Sequence, residues 1–137
     1  MLERILILFI LVLAILASWG VLRLWRGAKL RRLRGAAPLA GLVPAGHPAV
    51  VAFSTPSCAE CHTRQAPALA RLAVALGDSV TVRSLSALDH PDLVQRIGIL
   101  TVPATVVLDR DGRVRDLNLG YASDERLREQ LQRAGER

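Results

Sequence analysis

Cys58 and Cys61, the only cysteines in the 137-residue chain, stand in Cys-x-x-Cys spacing, and the residues on either side restrict what can form around them. Ala49-Val50-Val51-Ala52-Phe53 is short, apolar and β-prone, and reads as a strand. After the pair, Leu69, Leu72, Val74 and Leu76 among interspersed alanines suggest a helix stopped by Gly77. Pro67 falls inside that helix and is expected to kink it. The pair therefore sits where a strand turns into a helix. There the first backbone N–H groups lack intrahelical acceptors and the macrodipole adds partial positive charge, so a thiolate is favoured over a thiol. The thiolate is the reactive form. Two intervening residues in a first turn also let the sulfurs join and part reversibly as a disulfide. Cys58, nearer the helix start, is the candidate attacking sulfur, and Cys61 the candidate resolving sulfur.

The same residues admit other chemistries. Cys58-Ala59-Glu60-Cys61-His62 matches the Cys-x-x-Cys-His signature of c-type haem attachment, with His62 as axial ligand. Such sites normally lie in small helical domains, whereas this one follows a strand, and the single methionine is Met1, so a distal Met ligand is missing. Zinc needs about four ligands, and only His62 lies near the cysteines, with His47 and His90 distant in sequence. Two idle thiols or a purely structural disulfide is the remaining alternative.

Ile5 to Leu22 is a run of eighteen residues without a charge, long enough as a helix to nearly span a hydrocarbon core of about 30 Å. It reads as a transmembrane anchor over residues 1–24, with Trp19 and Trp25 at the interface. A cleaved signal peptide is the competitor, but Ile15-Leu16-Ala17 and its neighbours give no small-x-small site and the apolar run is long for an h-region. Arg23, Arg26, Lys29, Arg31, Arg32 and Arg34 come next with no acidic residue among them. Residues 35–137 carry eleven basic and eleven acidic residues, so the net charge of +6 belongs to the N-terminal part. The charge is therefore a juxtamembrane cluster suited to anionic lipid headgroups and gives no footprint for nucleic acid. By the positive-inside rule, the basic flank and everything after it stay in the cytoplasm.

Gly35 to Pro48 carries three prolines, three glycines and no charge, and reads as a linker that completes a segment over residues 25–48. His47 is expected there as a solvated loop residue. Residues 49–137 are enough for one core. Within them Val80 to Leu85 alternates as a strand does, and Asp89 to Gly98 reads as a short helix capped by Asp89, with His90 a surface residue of its first turn. Ala104 to Leu108 and Arg113 to Leu119 flank Asp109-Arg110-Asp111-Gly112, a hairpin with an Asp-Gly turn. Asp109 and Asp111 suit turn chemistry better than a cation site. Ser123 caps a last helix with Asp124 and Glu125 in its first turn. The order strand, helix, strand, helix, strand, strand, helix implies an α/β fold with two parallel strands, a crossover helix and a hairpin.

The Cys pair after a strand, Thr101-Val102-Pro103 ahead of the hairpin, and Gly120 before the last helix together resemble the thioredoxin family in its membrane-anchored form, over about residues 49–133. The resemblance implies a mixed sheet of about four strands flanked by helices. It also implies a cis bond before Pro103 and a groove where Val102 and Pro103 meet an extended substrate segment. Anchored thiol oxidoreductases of bacteria often face the outside, which opposes the charge bias. Several positions depart from the family: Ser57 replaces the usual Trp, Ala59-Glu60 the usual Gly-Pro, and Ala52 the buried Asp that helps deprotonate the resolving thiol. Pro67 falls six residues after Cys61, one later than usual. The leading strand and helix of thioredoxin proper are missing. Proton transfer is left to water, Glu60 or His62. Glu60 should oppose a nearby thiolate and protonated His62 favour it, although both suit exposed first-turn positions. The implied activity is a monomeric, membrane-tethered thiol:disulfide oxidoreductase with catalytic Cys58 and Cys61, acting on protein disulfides with a dithiol partner and needing no metal or organic cofactor. A thioredoxin-like scaffold that holds a client, haem or metal without turnover is the alternative.

Overall fold

The computed structural model describes residues 1–34 and 36–136. Gly35, where the linker was expected to begin, lies outside the described residues, as do Arg137 and the side chains at positions 29, 30, 33 and 34, including Lys29 and Arg34 of the basic run. Two units are distinguished, Met1–Arg32 and a second that begins at Leu33.

The charge-free run and the basic run form one continuous helix, α1, Leu2–Arg34. Its 33 residues span about 50 Å at 1.5 Å per residue, more than a bilayer core requires. The apolar part, Leu2–Ala28, reaches a mean hydropathy of 3.0, and none of it is buried. Ser18 donates to the Ala14 carbonyl at 2.7 Å, which satisfies its hydroxyl within the helix. The Arg23 guanidinium stacks on Trp19 at 4.8 Å from the ring centre. One turn of helix thus pairs Trp19 with Arg23, the first residue of the basic run.

The second unit is built on β1 (Ala49–Ser54), α2 (Ala66–Leu76), β2 (Thr81–Ser86), α3 (Pro91–Ile97), β3 (Ala104–Leu108), β4 (Val114–Leu119) and α4 (Asp124–Gly135). The sheet order is β2-β1-β3-β4. β1 and β2 are parallel, joined by α2 as crossover, while β3 runs antiparallel to both β1 and β4. This is the expected four-stranded mixed sheet. Val51, Phe53, Val106 and Leu108 face Leu93 and Ile97 of α3, whereas Val50, Ala52 and Val107 face Leu69 and Leu72 of α2 and Leu127 and Leu131 of α4. Helices on both faces explain why β1 and β3 read as unbroken apolar runs instead of alternating.

The structure adds detail to two local expectations and corrects a third. The segment before β1 lacks helix or strand, as a linker should, yet it is packed: Leu39 is 1% exposed within the α3-side core, with Leu42 and Val43 against the same cluster. A sequence without helical or strand period can still bury single side chains. The helical stretch that carries Pro67 is irregular just before it. A π-helical turn, Cys61–Gln65, precedes α2, and the Ala66 N–H donates to the Cys61 carbonyl five residues back. Counted from Ala59, where helical residues begin, Pro67 lies in the third turn of a continuous helical stretch, directly after the π-helical turn. Finally, His90 and not Asp89 occupies the N-cap of α3, because Pro91 opens the helix and excludes its predecessor from the helical region. Gly98, with φ 84°, ends α3 as expected.

Candidate active site

Four chain segments converge on one end of the sheet. β1 runs out through Phe53 and Ser54 toward the cysteines, and Phe53 pairs with Ala104 at the start of β3, directly after Pro103. Ala104 in turn pairs with Leu119 at the end of β4, ahead of Gly120. β2 ends there as well, since Ser54 pairs with Ser86 and its carbonyl accepts the Ala87 N–H at 2.8 Å. The topology therefore brings Cys58, Cys61, Pro103 and the β4–α4 connection to the same end.

The turn Thr55-Pro56-Ser57 leads β1 into the helix, closed by the Cys58 N–H on the Thr55 carbonyl at 3.1 Å. Helical residues begin at Ala59, so Cys58 occupies the capping position. The Cys61 N–H donates to Cys58 Sγ at 3.1 Å. That is the geometry of an N-cap acceptor with sulfur in place of the usual oxygen. When the pair is reduced, the same N–H and the helix dipole stabilise a negative sulfur at Cys58. Cys58 is half-buried and Cys61 is 4% exposed. The two are joined as a disulfide with Cα atoms 5.3 Å apart. One sulfur is therefore reachable by a macromolecular substrate and the other is screened behind it.

The Val102–Pro103 peptide bond is cis, as the resemblance implied. Pro103 is buried and its carbonyl accepts the Gly120 N–H at 2.8 Å, while Val102 is half-buried in front of it. Gly120, with φ 94°, bends the chain away from β4 in a conformation suited to glycine.

Glu60 and His62 stand on the exposed side of the redox turn, as the sequence suggested. Arg64 donates to Glu60 Oε1 at 3.1 Å and so offsets the carboxylate that sits between the cysteines. His62 Nε2 lies 3.3 Å from the Pro56 carbonyl, which can only accept, so that nitrogen carries a proton. Ala52, where the family places a buried Asp, lies 3% exposed in the α2-side core and supplies no proton acceptor.

Sequence reasoning missed Gln65. It is 2% exposed, and its side-chain amide bonds the backbone of Ala122 twice: Nε2 donates to the carbonyl at 3.1 Å, and Oε1 accepts the N–H at 3.0 Å. Gln65 ends the polar run His62-Thr63-Arg64, so nothing in the sequence marked it as buried.

A disulfide-joined cysteine pair, half-buried at Cys58 and buried at Cys61, at a strand-to-helix turn of a mixed sheet covered by helices on both faces, suits a protein that exchanges thiols for disulfides. The thioredoxin family model matches residues 40–133. The chain is 34% identical over 84 residues to thioredoxin of Alicyclobacillus acidocaldarius subsp. acidocaldarius, covering 61% of this chain and 78% of that one. It is also 34% identical over 79 residues to thioredoxin of Rhodospirillum rubrum, covering 58% and 74%. Among solved structures, a thioredoxin-like protein from Clostridium perfringens superposes with a TM-score of 0.62 at 21% identity, covering 68% of this chain and 75% of its own. Chloroplastic thioredoxin z gives a TM-score of 0.57 at 20% identity, covering 65% and 79%. The chain belongs to the thioredoxin family and is a thiol:disulfide oxidoreductase.

Proposed function

We propose that this oxidoreductase works tethered to a membrane by α1 and that Cys58 is its attacking sulfur. The observation that carries the assignment is the Cys61 N–H aimed at Cys58 Sγ at the start of a helix. In the reducing direction the Cys58 thiolate attacks one sulfur of a protein disulfide. The substrate S–S bond breaks, a mixed disulfide forms at Cys58, and one substrate thiolate leaves. Cys61 then loses its proton and attacks Cys58 Sγ, which releases the second substrate thiolate and leaves the Cys58–Cys61 disulfide. Two electrons have passed to the substrate, and a partner dithiol returns them by the same exchange in reverse. No metal or organic cofactor enters either step. With no carboxylate at position 52, the proton of Cys61 goes to water or to an exposed group such as His62.

Val102, set in front of the cis bond, offers its N–H and C=O to an extended substrate segment as an added strand does. Leu88 and Leu100, on connections at the same sheet end, and Leu119, the last residue of β4, are exposed by 67%, 85% and 48% and suit apolar side chains around a substrate disulfide. The domain faces the cytoplasm in this reading, because Arg23, Arg26, Arg31 and Arg32 directly follow the apolar run and attract anionic headgroups.

The test is disulfide reduction of insulin by the full-length chain in detergent micelles, with dithiothreitol as electron source. Cys58→Ser is expected to abolish the catalysed rate. Cys61→Ser is expected to trap a covalent substrate adduct on Cys58 that dithiothreitol dissolves. A rate retained in Cys58→Ser, or an adduct found on Cys61 in that variant, would overturn the assignment.

A further inference from the structure

The redox turn is gripped from outside its own helix at two consecutive positions. Arg64 places its guanidinium 4.2 Å from the centre of the Tyr121 ring. Gln65, the next residue, holds both backbone polar groups of Ala122 through its amide. Ala122 is 1% exposed, so neither group has water as an alternative partner. The connection they grip is anchored a second time, two residues earlier, by the Gly120 N–H on the Pro103 carbonyl. A chain of direct contacts thus runs from Cys61 through the π-helical turn to Gln65, to Ala122, to Gly120 and to Pro103. Gln65 is the last residue of the π-helical turn that Cys61 opens, so its amide ties the end of that turn to Ala122.

From this geometry we propose that Gln65 is a positioning residue for the dithiol, clamping the β4–α4 connection so that the Cys61 sulfur stays placed against Cys58. The inference rests on the oxidoreductase reading above. Its physical basis is effective concentration: two sulfurs held in place form their bond at a smaller entropy cost than two held loosely. Releasing the clamp therefore disfavours the disulfide relative to the dithiol. The relevant equilibrium is protein disulfide plus dithiothreitol giving protein dithiol plus cyclic oxidised dithiothreitol, with two electrons and two protons passing to the protein.

The experiment measures that equilibrium constant for the full-length chain in detergent micelles, with thermal unfolding followed alongside. Gln65→Met keeps length and shape and removes both hydrogen bonds, while Gln65→Asn keeps the amide but draws it back by one methylene. Both are expected to shift the equilibrium toward the dithiol by at least threefold, which corresponds to about 14 mV at 29.6 mV per tenfold change. Asp109→Asn, at the opposite end of the sheet, is expected to unfold at a lower temperature while its equilibrium stays within twofold of the parent. If both Gln65 variants unfold earlier yet keep the parent's equilibrium constant, Gln65 is merely structural and the inference is wrong. If the parent chain itself shows no reversible two-electron transition, the oxidoreductase reading fails first and the inference falls with it.

Discussion

At one end of the sheet Asp109 lies 2% exposed with both carboxylate oxygens fully occupied, whereas at the other Cys58 lies half-buried with a single N–H on its sulfur. Asp109 Oδ1 accepts the Asp111 and Arg113 backbone N–H groups, each at 2.9 Å, and Oδ2 meets Arg115 Nε and its terminal nitrogen, each at 2.7 Å. Each end directs backbone N–H groups at an atom that carries, or in the reduced state acquires, negative charge. The number of donors and the access of solvent separate them. A carboxylate saturated by four donors is locked and contributes stability. A sulfur held by one donor and left partly exposed can be stabilised as an anion at a smaller loss of nucleophilicity than saturation by several donors would bring. The contrast suggests that stability and reactivity are supplied from opposite ends of one sheet, joined by the apolar strands β1 and β3.

The largest effect that could break this comparison is expected from Asp109→Asn. The substitution leaves Arg115 without its buried counter-charge, and a loss of about 3 kcal/mol in urea-unfolding free energy follows. The turnover of insulin per folded molecule should remain that of the parent. Loss of turnover in step with stability would show that the two ends are not separable.

A smaller effect tests the helices that cover the redox face. Arg71 of α2 bonds Asp124 of α4, with its terminal nitrogen at 3.0 Å and Nε at 3.3 Å. That hydrogen bond is the main cause that holds the Asp124 carboxyl below its ordinary value and raises Arg71 above its own. Because the carboxyl titrates lower when folded than when unfolded, the pair stabilises the protein above the ordinary carboxylate range and is lost as pH falls through it. Arg71→Gln should thus lower the unfolding temperature slightly at pH 6 and make no difference near pH 2, and added salt should shrink the gap at pH 6. A gap that persists at pH 2 would assign the effect to packing of the Arg71 stem instead of charge.

How far the sequence reveals these ends differs by residue. The hairpin turn was legible because Asp-Gly at a strand break has a specific backbone preference, and Gly112 does adopt φ 76°. The cap of α4 was legible for the same kind of reason: Ser123 accepts the Arg126 N–H at 3.3 Å. The strand-to-helix placement of the cysteines followed from hydropathy alone, while the cis bond before Pro103 followed from family resemblance. What escaped notice depends on contacts distant in sequence. Gln65 and Ala122 are 57 residues apart, and the partner of Leu39 in the core is likewise set by the tertiary fold. The buried set Thr105, Asn118 and Gln130, in which the two amides bond each other at 2.8 and 3.0 Å, was equally invisible. That Pro67 falls inside a helix was legible, but the form of the irregularity beside it, a π-helical turn over Cys61–Gln65, was not.

The proposed division of roles makes Cys58 the reactive sulfur and Cys61 the screened one. Its most direct test is the pH dependence of iodoacetamide alkylation of the reduced full-length chain, with the modified cysteine located by mass spectrometry. The account expects modification at Cys58 first, with an apparent pKa below the roughly 8.5 of an ordinary cysteine. Equal modification of both cysteines, or a midpoint at or above that ordinary value, would contradict it.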